Sequence, residues 1–173
     1  KGVDPAAART INALTHYKAE LRDRDIFRIK TVLIEGGDTP LIGHKLFNAE
    51  TNELCTAMQQ QLRGISLSGD TVEWDGDKRE ERPVPVDGPN WVASQRSVVR
   101  PEEADWAGYL ALPGHIHRFS TANSFIIAAF GLTPEYMTKE RVGLSTFEFQ
   151  LVFHNKLAVP GTLIDVDSCV AQL

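Results

Sequence analysis

Asp105, Gly108 and Tyr109 fall together in the short segment Asp105-Trp106-Ala107-Gly108-Tyr109, and Pro113 follows five residues after the glycine. From His115 to Phe130 the chain then runs with almost no charge, which reads as a helix. A carboxylate on a loop that feeds a helix N-terminus has a definite chemistry open to it. The carboxylate acts as a base or a nucleophile at a carbonyl carbon. The helix end offers unpaired N–H groups and a dipole that favours negative charge, which is what a developing oxyanion requires. Gly108, or the residue after it, would present a backbone N–H without side-chain obstruction, and the Tyr109 hydroxyl could orient a substrate. The plainer reading is that Asp105 shapes or caps a turn, as an aspartate ahead of a glycine commonly does.

The other reactive side chains make no comparable set. His115 and His117 are two apart and so do not share a helical face; one of them reads as a hydrogen-bonded residue at the helix start. His16, His44 and His154 lie in separate strand-like stretches and compose no ligand set, so no metal is expected. Cys55 and Cys169 form no CxxC pair and read as free thiols, consistent with a reducing, cytoplasmic setting. There is no Gly-x-Ser-x-Gly elbow for a serine hydrolase and no glycine-rich phosphate loop.

The elements that must position Asp105 follow from patterning. His115–Phe130 places Ile116, Phe119, Ile126 and Phe130 at helical spacings, with apolar residues on the remaining faces, so the helix belongs inside the protein. It is too short, and too polar at its start, to span a bilayer. Strands are expected from Asn12 onward, at Ile26–Glu35, Pro40–Asn48, Leu54–Arg63, Trp91–Arg100, Gly143–Asn155 and Thr162–Leu173. The polar loop Ala49–Glu53 joins two of them as a hairpin. Asp4-Pro5 and Thr133-Pro134 read as N-caps followed by proline, and the Phe147, Phe149, Phe153 face reads as core. Residues 67–90 are dense in charge, glycine and proline, with one apolar pair around Trp74, and read as a solvated connector.

The 173 residues are 42% hydrophobic and 24% charged with a net charge of −5, which suits a soluble globular chain and argues against a nucleic-acid partner. The start at Lys1 and the strand-like end suggest part of a longer protein. Gly2-Val3-Asp4-Pro5 resembles Gly131-Leu132-Thr133-Pro134, and each precedes a short helical segment, a strand, a turn and a strand. In that repeat Tyr17–Leu21 matches Phe153–Leu157, and Ile26-Phe27 matches Thr162-Leu163. The implied organisation is residues 1–66 as the later part of one copy, 67–90 as connector, and 91–173 as the earlier part of a second copy.

A strand, Asp105-x-Ala107-Gly108, Pro113 before a long helix, and then antiparallel strands resemble the hotdog-fold thioesterases, nearest to the 4-hydroxybenzoyl-CoA thioesterase type. The segment Gly131–Tyr136 and the hairpin Leu46–Leu54 fit the same layout. The resemblance implies an α+β hotdog fold, an antiparallel sheet wrapped around a central helix, here as a tandem double hotdog or a permuted single one. It implies an acyl-CoA thioesterase with Asp105 as catalytic carboxylate, Gly108 and Tyr109 as oxyanion and substrate-orienting residues, no cofactor beyond the coenzyme A of the substrate, and homo-oligomers. Many relatives carry a histidine where this chain has Tyr109. A hotdog hydratase would carry a histidine five residues after the aspartate, where Leu110 stands. A hotdog protein that binds a thioester without cleaving it, or serves as a structural partner, is the remaining alternative.

Overall fold

A computed structural model describes residues 9–36, 39–78, 80, 91–154 and 157–169. The cap expected at Asp4-Pro5 lies outside these residues, as do Gly37-Asp38 and the second half of the connector. Contacts divide the chain into two compact units, residues 1–80 with 145–156, and residues 81–144 with 157–173. The segment at 145–156 joins the first unit because its strand pairs there.

The first unit is a six-stranded sheet in the order β5-β2-β3-β4-β1-β7. Its strands are β1 (Arg9–Tyr17), β2 (Phe27–Ile34), β3 (Leu41–Asn48), β4 (Leu54–Arg63), β5 (Thr71–Val72) and β7 (Glu148–Val152). All pairings are antiparallel except β2 with β5. Branched and aromatic residues favour these strands, and the polar Ala49–Glu53 loop closes the β3–β4 hairpin. The Asn48 side chain accepts from the Glu50 and Thr51 N–H groups there, and Asn52 takes a positive φ of 61°. Successive residues alternate faces. One face carries Leu14 and His16 of β1, Gln59 of β4, Lys45 of β3 and Glu148 of β7. The other carries Ala13, Thr15 and Tyr17 with Phe149 and Leu151.

Three expectations change in this unit. β1 begins at Arg9, so no helical turn occupies that residue, and it ends at Tyr17 where the Lys18 and Ala19 N–H groups both turn to the Cys55 carbonyl. The strand expected over Gly143–Asn155 is confined to Glu148–Val152, and Phe147 is exposed rather than core. The connector is not simply solvated. Val72 accepts from the Glu35 N–H, and Trp74 lies against Gly43 so closely that a Cβ there would sit 2.3 Å from its ring. Lys45 faces the Trp74 ring at 5.1 Å and pairs with Asp75, while Gln59 donates to the Asp77 carbonyl at 2.6 Å. Residues 72–77 form a strap across one sheet face, held by a ring on a glycine.

The second unit pairs β6 (Val92–Val98) with β8 (Leu163–Ser168) antiparallel and sets α1 (Leu112–Ala129) against both. α1 starts three residues ahead of the expected His115, because Leu112 and Pro113 form its first turn, where a proline loses no hydrogen bond. Within this unit two strands, rather than a full sheet, contact the helix. Arg118 and Ala122 are its buried residues, and Phe119, Phe125 and Phe130 remain exposed. α2 (Pro134–Glu140) follows, capped as expected by Thr133, whose hydroxyl accepts from the Tyr136 N–H at 3.2 Å. No helix of the described residues is long and apolar enough to cross a membrane.

Candidate active-site loop

The loop that carries Asp105 leaves a short 3-10 turn, Pro101–Glu103, and enters α1 at Leu112. It is closed on itself by backbone bonds. Ala104 bridges Leu110, the Asp105 N–H donates to the Tyr109 carbonyl at 2.7 Å, and the Gly108 N–H returns to the Asp105 carbonyl at 3.0 Å. Gly108 holds φ at +84°, a left-handed conformation that a Cβ would strain, with open space around it. Beyond the turn, the Leu110 N–H donates to Ala158 and the Ala111 N–H to the Glu103 carbonyl.

Half-buried Asp105 has its two carboxylate oxygens in different situations. Oδ1 accepts from the Ala107 N–H at 2.8 Å and the Tyr109 N–H at 3.1 Å. Oδ2 has no hydrogen-bond partner among the described residues. The turn-shaping reading and the chemical one therefore apply to different atoms of one side chain. The expected role of Gly108 and Tyr109 as oxyanion donors meets a structural obstacle, because both N–H groups are already bonded to Asp105. The first helical residue, Leu112, keeps its N–H without an acceptor among the described residues, as the first turn of a helix does, and Pro113 beside it carries none.

Two residues next to the loop were not visible as functional in the sequence. Arg118 is 4% exposed and all its guanidinium nitrogens are engaged. Nη1 and Nη2 donate to Glu103 Oε1 and Oε2 at 2.9 and 3.0 Å, Nε to Ser97 Oγ at 2.9 Å, and the same Nη groups reach the Gly114 and Val98 carbonyls. Glu103 also accepts from the Arg100 N–H at 2.8 Å. The Arg118 hydrogen bonds, then that of Arg100, bring its carboxyl down to about 2. His115, in the first turn of α1, has its pKa lowered by burial and by nearby Arg118, against a hydrogen bond to the Leu110 backbone that raises it. It is thus the hydrogen-bonded helix-start residue anticipated for this pair of histidines.

The remaining histidines and cysteines lie elsewhere. In the first unit His16 places Nε2 2.8 Å from Glu148 and Nδ1 3.7 Å from Asp77, whose pKa is lowered chiefly by Lys18. His44 pairs with Thr31 at 2.9 Å, and burial lowers its pKa. Cys55 is buried, Cys169 half-buried, and neither is bridged. No group of three or more metal-ligating side chains occurs among the described residues. Cavities of about 310 and 430 Å³ open in the first unit, the larger lined by Tyr17, Leu46, Cys55 and Phe147; neither draws a residue from the Asp105 loop.

No protein-family model matches this sequence, and no curated protein matches it either. Solved structures do. An acyl-ACP thioesterase from Bacteroides thetaiotaomicron superposes with a TM-score of 0.60 at 10% identity, covering 91% of this chain and 63% of that one. The 12:0-ACP thioesterase from Umbellularia californica gives 0.59 at 8% identity, covering 91% and 59%. A MaoC-like dehydratase from Phytophthora capsici gives 0.50 at 15% identity, covering 94% and 61%. This chain thus spans about six-tenths of the length of each. At such identities the likeness establishes the fold: this is a hotdog-like α+β chain.

Proposed function

We propose that the chain belongs to an acyl-CoA thioester hydrolase in which Asp105 is the catalytic carboxylate. The observation that carries the reading is the division of labour at Asp105, with Oδ1 fixed by two loop N–H groups and Oδ2 without a partner among the described residues, on the loop that leads into α1. Oδ2 takes a proton from water as the water oxygen adds to the thioester carbonyl carbon. The carbonyl oxygen gathers the negative charge and is met by the Leu112 N–H and the positive end of α1. Collapse breaks the C–S bond, and the proton held by Asp105 passes to the departing thiolate, giving acid and free thiol. Gly108 and Tyr109 serve this chemistry by shaping the loop, with the Tyr109 hydroxyl as the substrate-facing group. Thioesterases among the solved structures of this fold support the assignment.

The tandem double-hotdog organisation, part of the same proposal, has a support of its own. β1 and β7 pair antiparallel with Leu14 opposite Gln150, and Phe27 and Leu163 begin β2 and β8. Leu14 to Gln150 and Phe27 to Leu163 are the same distance apart in sequence. In the repeat register, then, the residue opposite Leu14 is its own counterpart in the second copy. Strands related by a two-fold axis pair in this self-complementary way.

The reading is tested by following free-thiol release from short, long and aromatic acyl-CoAs. Turnover on at least one supports it; no turnover on any moves the assignment to a thioester-binding or structural hotdog protein. The observation favouring that second reading is that Asp105 also accepts two hydrogen bonds as a turn residue.

A further inference from the structure

The Glu103–Arg118 pair sits where the two ends of the Asp105 loop meet. Glu103 is the residue before the Ala104–Leu110 bridge, and its carbonyl accepts the Ala111 N–H at the loop's far end. Its carboxylate is held in a two-pronged grip by Arg118, which rises from α1 about one and two-thirds turns after Leu112. The same guanidinium reaches β6 through Ser97 and Val98 and the first turn of α1 through the Gly114 carbonyl. One buried cation therefore joins the strand, the helix start and the loop base. An arginine in the middle of a mostly apolar helix is costly to bury unless every N–H finds an acceptor, and here each nitrogen does. The planar fork is what allows it; a lysine ammonium could satisfy only part of the set.

We propose that Glu103 and Arg118 are positioning residues that fix the Asp105 carboxylate relative to the N-terminus of α1. The inference rests on the hydrolase reading of that loop, and neither side chain is assigned contact with the substrate. The pair acts as a unit, so removing either member releases the same constraint.

The test combines kinetics with amide hydrogen exchange over residues 104–112 in wild type, Glu103→Gln, Arg118→Lys, Arg118→Met and the double variant Glu103→Gln/Arg118→Met. The expected result is a fall in kcat of at least about tenfold with KM changed less than about threefold, since loss of a positioning contact acts on the transition state. Exchange in the loop should accelerate while β6 and β8 stay protected. The double variant should be no slower than the worse single one, and Arg118→Lys should recover part of kcat. Wild-type kcat and loop protection in a folded Arg118→Met overturn the proposal, as does a loss of kcat that simply adds between the two singles. Should Arg118→Met fail to fold, Glu103→Gln and Arg118→Lys carry the same comparison. If the wild type hydrolyses no thioester, the hydrolase reading fails and the exchange rates alone decide whether the pair braces the loop.

Discussion

Replacing Gly108 with alanine separates backbone geometry from packing at the proposed site. The residue sits at φ +84°, and a Cβ added there meets nothing within 4 Å. The cost is therefore conformational alone. A left-handed L-residue costs about 1–2 kcal/mol, and the smaller unfolded-state entropy of alanine returns about 0.4–1 kcal/mol, leaving a net loss of about 1 kcal/mol. Asparagine tolerates this region better and should lose less. Activity should fall further than stability. If the strained loop relaxes, the Gly108 and Tyr109 N–H bonds to Asp105 at 3.0 and 3.1 Å are the ones released, and the carboxylate loses its orientation. Urea unfolding and thiol-release kinetics on Gly108→Ala and Gly108→Asn read both effects. Gly108→Ala as stable and as active as wild type would refute the reasoning; a loss above about 3 kcal/mol would show that packing, not φ, is decisive.

Gly43→Ala meets the opposite circumstance, since its Cβ would lie 2.3 Å from the Trp74 ring and must push it off the sheet. The expected loss is about 1–2 kcal/mol from ring burial and the Lys45 contact, with a red shift in tryptophan emission; unchanged emission would contradict the strap. Glu103, brought down to about 2 from the ordinary 4.5, contributes stability that is fully present above 4.5 and is lost as pH falls through about 2. Wild type should accordingly lose stability more steeply than Glu103→Gln across that window in acid denaturation, and parallel acid limbs would speak against the Arg118 pairing.

Local signals were legible in the sequence and contacts between distant residues were not. Alternation and turn chemistry placed β2, the β3–β4 hairpin and the Thr133 cap within a residue or so of where they lie. The helix is legible too, although a proline ahead of an apolar run reads as preceding the helix when it is as much at home in the first turn. Phe147 misled because strand-like composition continues past the point where pairing with β1 stops. Nothing periodic links Trp74 to Gly43, so a ring lying on a bare backbone could not be read from a charged connector. At the loop, Asp105 and Gly108 announce themselves by type and spacing. Glu103 stands beside Glu102, and Arg118 is a single charge in a mostly apolar helix, so neither is marked by type or spacing and only folding brings them together.

The central claim is that the charge on Asp105 Oδ2 performs the chemistry while Oδ1 holds the loop. Asp105→Asn keeps an acceptor for the Ala107 and Tyr109 N–H groups and removes only the charge, so it is the variant to compare with wild type in acyl-CoA thiol release. With unfolding and loop exchange unchanged, turnover should fall by at least about a hundredfold, the contribution usual for a general base. Equal turnover in the two folded proteins would contradict the account and leave Asp105 as a residue that shapes its turn.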